Sequence, residues 1–193
     1  MIRCGHQLFF LLCAVGFTAA AVGDELLPGS THRLVFRDVD GHDLSTAEGR
    51  VTIITVVTRR NEEKAREIAA LVPEYAVGDP QYRYITMVNF QQKLARPLHG
   101  LTRAIIRRRL DAEARDLQER YTERQLTRDA RQDVSVVADF DGRALAQLGL
   151  SPDTDEIAVF VFNRQGKLIA RWSDVPPPDA LPKAIAAAEQ RVQ

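Results

Sequence analysis

Few residues in this chain could act as nucleophiles or redox centres. Cys4 and Cys13 are the only cysteines among 193 residues, and both fall in an N-terminal stretch with the form of an export leader. Arg3 precedes the apolar run Leu8 to Val15, and small residues lead through Ala19-Ala20-Ala21-Val22-Gly23 to the first acid, Asp24. Small-x-small cleavage fits after Ala21 or after Gly23, which divides the chain into a leader over 1–23 and a domain over 24–193. The apolar run is short of the roughly 20 residues that a permanent membrane helix needs, so it reads as a cleaved signal with no stable membrane insertion afterwards. Phe10-Leu11-Leu12 before Cys13 are too large for a lipid-modification site. The expectation is a periplasmic protein that reaches its compartment without a thiol. Disulfides, thiolate metal ligands and thiol redox chemistry are then all excluded.

The other groups able to do chemistry are scattered. Asp38-Val39-Asp40-Gly41-His42-Asp43 has calcium-loop residues, but its glycine is fourth instead of sixth and Gly49 stands where the bidentate glutamate belongs. It reads as a solvated turn between strands. Asp139, Asp141, Asp153 and Asp155 fall in loops after strands. The histidines after the leader, His32, His42 and His99, are too dispersed for a zinc triad. No serine has the context of a nucleophile elbow. No metal and no cofactor are expected. Lys plus Arg and Asp plus Glu both number 26, so the net charge is zero and nothing in the total favours nucleic acid.

The elements that must position these groups follow from hydrophobic periodicity. His32 to Arg37 alternates as a strand. Arg50-Val51-Thr52-Ile53-Ile54-Thr55-Val56-Val57 is a β-branched run without polar alternation, the mark of a central strand covered on both faces. Glu62 to Val72 has helical spacing, with Asn61 as its expected cap and Pro73 as its stop. Tyr82 to Phe90 and Val134 to Asp139 read as further strands, Arg143 to Leu148 as a short helix, and Ile157 to Phe162 as a strand. Asn163-Arg164-Gln165-Gly166 turns that strand into a hairpin with Lys167 to Trp172, and a final helix runs from about Asp179 to Val192. This order predicts an α/β sandwich with a mixed central sheet flanked by helices, carrying one long charged helical insertion over about 93–128.

Val35 to Ser45, Gly49 to Val57 and Phe162 to Ile169 resemble, in order and spacing, the redoxin branch of the thioredoxin-like superfamily. With Thr58-Arg59-Arg60-Asn61-Glu62-Glu63-Lys64, Ile85-Thr86-Met87-Val88-Asn89 and Asp139 to Leu145, the chain is similar to the YtfJ-like bacterial periplasmic proteins over roughly Thr31 to Val192. The resemblance implies a thioredoxin-like fold. Thiol oxidoreductases of that fold carry Cys-x-x-Cys at the start of the helix after the central strand, where the helix dipole activates the first thiol. The matching positions are Arg60 and Glu63, and neither supplies a thiol. The stretch that matches the family's cis-proline, Asp153-Thr154-Asp155-Glu156-Ile157, has no proline. The resemblance thus implies a retained scaffold whose thiol chemistry is lost, with Thr58, Arg59, Arg60, Asn61, Glu62 and Glu63 as its degenerate active-site positions.

The insertion is polarised. Lys93, Arg96, Arg103, Arg107, Arg108 and Arg109 occupy a stretch without an acid, whereas 111–131 mixes both signs. Leu98, Leu101, Ile105, Leu110, Ala114, Leu117 and Tyr121 suggest one apolar stripe that docks on the domain or on another chain. The plain reading is a helix covering a sheet edge with solvated charges and pairs such as Glu119 with Arg124. The functional reading takes Arg103, Arg107, Arg108 and Arg109 as contacts for an envelope protein or an anionic ligand. Two alternatives stand beside a binding or accessory role. One is a cysteine-independent enzyme in which Arg59 or Arg60 holds an anion and Glu62 or Glu63 acts as acid or base. The other is a structural homodimer paired through the insertion helix.

Overall fold

The computed structural model describes residues 25–90 and 98–190. Residues 1–24 with Cys4 and Cys13, where a leader is expected, residues 91–97 with Lys93 and Arg96, and the last three residues lie outside that range. Its centre is β3 (Val51–Val57), whose β-branched sequence packs on both faces and leaves only Thr55 half-buried. β4 (Tyr82–Asn89) and β5 (Val134–Asp139) extend the sheet in parallel on one side, while β6 (Ala158–Phe162) and β7 (Leu168–Trp172) extend it antiparallel on the other. The strand order is β5-β4-β3-β6-β7. Gly166 closes the β6–β7 hairpin at a φ of 82°, where a Cβ would stand 2.6 Å from the His32 carbonyl oxygen.

The two faces of the sheet have different cover. Ile53 and Val57 point toward α1 (Glu62–Ala70) and α4 (Ala180–Glu189), packing with Ile68, Leu181 and Ile185. Ile54 and Val56 point the other way, with Phe160 and Phe162, onto Leu145 and its helix α3 (Arg143–Gln147). That second face is completed by Phe36 and Leu44 of a separate antiparallel pair, β1 (Val35–Arg37) and β2 (Asp43–Ser45). The sequence reading had one strand and a turn here. Leu44, flanked by polar residues, carries too little hydrophobic pattern to reveal so short a strand.

The insertion forms α2 (His99–Glu123), followed by a 3-10 turn over Ala130–Asp133. Leu110, Ala114 and Tyr121 are buried, but Leu98, Leu101 and Ile105 are exposed. The expected single stripe is therefore two half-stripes. The five-residue step from Ile105 to Leu110 turns the apolar direction by about 140° around an α-helix, so the two halves face different ways. Only the second faces the sheet, where Leu110 meets Val136 and Val39.

The turn Asp38–Asp43 is not simply solvated. Val39 is buried, and its N–H donates to the Val136 carbonyl at 2.9 Å. Asp40 pairs with Arg131 at 2.6 Å and Arg107 at 3.2 Å, fastening the hairpin to α2. Arg124 reaches Glu74 instead of Glu119, and Arg120 reaches the same carboxylate.

Candidate functional site

Three parallel strands, β3, β4 and β5, end at one edge, and an open α/β sheet offers its ligand crevice at such carboxyl ends. Thr58, Asn61, Asn89 and Asp139 all reach this edge and are all buried. Asn61 is the hinge pin of the arrangement. Its Oδ1 accepts from the Thr58 N–H at 2.8 Å, and its Nδ2 donates to the Asp155 carbonyl at 3.2 Å. It makes no side-chain cap on α1, so the expected cap is replaced by a tie between the β3–α1 turn and the loop ahead of β6. The side chain faces that turn because the buried Thr58 N–H would otherwise go unpaired, a larger penalty than an uncapped exposed helix end.

The same loop is held twice more. Arg60 Nη1 donates to Asp155 Oδ2 at 2.5 Å, with the arginine side chain 73% exposed, and Asn89 Nδ2 donates to the carbonyls of Pro152 and Thr154, both at 3.1 Å. Loop 152–155 is therefore tied both to the β3–α1 turn and to the end of β4. Arg59, Glu62 and Glu63 are exposed and make no hydrogen bond or ion pair among the described residues. The edge has two basic and two acidic side chains in water, and beneath them amides that are committed to backbone. Of the four loop aspartates, Asp139 turns inward to the backbone of its own turn, and Asp155 pairs with Arg60. Asp139 accepts from Gly142 N and Leu145 N, both at 2.8 Å, and from Asp141 N at 3.3 Å. Burial raises its pKa above the ordinary carboxylate value, against the opposing pull of those three N–H groups.

The basic half of α2 divides as sharply. Arg103 lies over the Phe140 ring at 5.1 Å, and that ring also stacks on His99 at 4.2 Å and Phe90 at 4.7 Å. Arg107 donates to the Val39 carbonyl and pairs with Asp40. Arg103 and Arg107 thus bind their own domain. Arg108 and Arg109 are exposed and have no ion pair among the described residues. Sequence alone placed all four together, and it is helix phase that separates them. Between α1, β4 and α2 lies an apolar cleft of about 260 Å³ lined by Ile68, Val72, Tyr84, Leu117 and Tyr121. The Tyr84 hydroxyl is buried in its wall without a hydrogen-bond partner.

A central βαβ unit, a second parallel crossover, an antiparallel hairpin and a closing helix define the thioredoxin-like α/β fold. Solved structures of that fold match most of the chain. A peroxiredoxin-like protein from Aquifex aeolicus matches with a TM-score of 0.50 at 17% identity, over 87% of this chain and 91% of that one. A Bacteroides thetaiotaomicron protein, provisionally named a protein disulfide isomerase, has a TM-score of 0.51 at 11% identity, over 84% and 88%. A secreted disulfide oxidoreductase of Mycobacterium tuberculosis gives 0.44 at 11% identity, over 80% and 96%. No protein-family profile and no curated protein matches the sequence.

Proposed function

We propose that this chain is an exported, non-redox protein of the YtfJ-like kind, which uses a thioredoxin-like scaffold for binding in the bacterial periplasm. The observation that carries the reading is the edge itself. The resemblance puts Arg60 and Glu63 at the thiol positions, and Asn61, Asn89 and Arg60 tie loop 152–155 to the same edge. A redox site needs an accessible thiolate at the helix start. Here that helix start is open to solvent but carries arginine and glutamate in place of a thiol. The enzymatic alternative has less support, because Arg60 already holds Asp155 and the exposed Glu62 and Glu63 lack the enclosed pocket that tunes an acid or base. The contact surface is the basic half of α2, where Arg108 and Arg109 face solvent unpaired.

The test is an insulin-reduction assay on the exported protein, with binding to an acidic polypeptide resin measured beside it. The reading expects no reduction above background, and retention on the resin that is lost in Arg108→Glu/Arg109→Glu. Insulin turbidity, or retention unaffected by the double substitution, would overturn it.

A further inference from the structure

Leu98, Leu101 and Ile105 are 46%, 61% and 51% exposed, three of the six large hydrophobic side chains in solvent among the described residues. At 100° per residue they form a ridge about 60° wide, with Arg108 about 20° beyond one border and Arg109 about 20° beyond the other. From Leu98 to Leu110 the helix has no acid. We propose that this ridge docks on an anionic lipid surface, Leu98, Leu101 and Ile105 entering the headgroup boundary while Arg108 and Arg109 bind lipid phosphates. This deepens the reading of α2 as a contact surface and rests on it.

Size and charge favour lipid over protein as the occupant. Residues 98–109 make a ridge about 18 Å long and about 10 Å wide, on the order of 200 Å², against roughly 800 Å² per partner in a stable protein interface. A few apolar side chains between arginines instead suit shallow, reversible insertion, where the aliphatic stems lie along the apolar boundary and the guanidinium groups stay in water. A second copy fits poorly. Asp116, Glu119 and Glu123 continue the same exposed face toward the C-terminus of α2. Antiparallel pairing that sets Arg108 and Arg109 near Asp116 or Glu119 sets Ile105 against Glu119 or Glu123 and carries Leu98 past the end of the partner helix. Pairing that sets the leucines on each other leaves the arginines without acids. The acidic continuation also confines lipid contact to the first three turns, since it is repelled by the surface that attracts the arginines.

The experiment is co-sedimentation of the exported protein with vesicles of phosphatidylglycerol and phosphatidylcholine at about one to one, and with phosphatidylcholine alone. Binding is expected only to the anionic vesicles, and is expected to weaken steeply in about 0.5 M salt. Arg108→Ala/Arg109→Ala should weaken it about 30-fold, at about fivefold per arginine. Leu101→Ser/Ile105→Ser should weaken it on the order of tenfold, with an unchanged circular dichroism spectrum because both side chains are exposed. No binding to anionic vesicles, or full binding by either double variant, overturns the proposal. Retention on the acidic resin with no vesicle binding overturns the lipid assignment and leaves the contact surface standing; loss of both removes both. A concentration-dependent dimer abolished by Leu101→Ser assigns the ridge to a second copy and likewise overturns it.

Discussion

Replacing Asn61 with alanine tests how much this side chain contributes to holding the β3–α1 turn against loop 152–155. The substitution removes the acceptor for the Thr58 N–H at 2.8 Å and the donor to the Asp155 carbonyl at 3.2 Å. Thr58 is 3% exposed, so its N–H cannot turn to water, and a buried donor left without a partner costs about 1–3 kcal/mol. The Asp155 carbonyl lies in a more open loop that solvent can reach, so losing the second bond adds about 0.5–1 kcal/mol. The sum is about 1.5–4 kcal/mol, with a midpoint of about 3. It appears in urea denaturation as a midpoint lowered by about 1 M with an unchanged slope. Thermal unfolding moves down by roughly 5–10 °C. A loss below about 0.5 kcal/mol for Asn61→Ala would refute the reasoning, since the β3–α1 turn and loop 152–155 would then be held by other contacts.

Two further outcomes follow from buried groups. Because the folded-state pKa of Asp139 is raised above 3.8 by burial, the carboxyl contributes stability that is complete below that value and is lost as pH rises through the raised one. Denaturation across the acid range should show wild type losing ground to Asp139→Asn as pH rises, and a gap that is constant or opens the other way contradicts this. Tyr84→Phe removes a buried hydroxyl that makes no hydrogen bond, so it should leave stability unchanged or raise it by about 1 kcal/mol in the same assay. A loss of more than about 1 kcal/mol would show that the hydroxyl has a partner.

The long elements were legible because their patterns are unambiguous. The run Val51–Val57 has no polar alternation and is buried on both faces, and Val134–Asp139 and the hairpin around Gly166 stand where their residues put them. The strand Asp43–Ser45 was not legible, because a three-residue strand gives too little periodicity. The division of α2 was in the sequence as the five-residue step after Ile105, and reading the phase of each residue instead of the spacing of neighbours would have found it. Asn61 was expected as a helix cap. Its tie to Asp155, 94 positions away, is a tertiary contact that no local pattern encodes. Arg103 and Arg107 were grouped with Arg108 and Arg109 by charge alone, whereas helix phase sets the two pairs apart and turns the first toward Phe140 and Asp40.

The absence of a working thiol is tested most directly by mass spectrometry of the native protein after thiol trapping in intact cells. The account predicts an N-terminus at Val22 or Asp24 and no trappable cysteine. A molecule that keeps the leader, with Cys4 or Cys13 passing between oxidised and reduced forms, would contradict it.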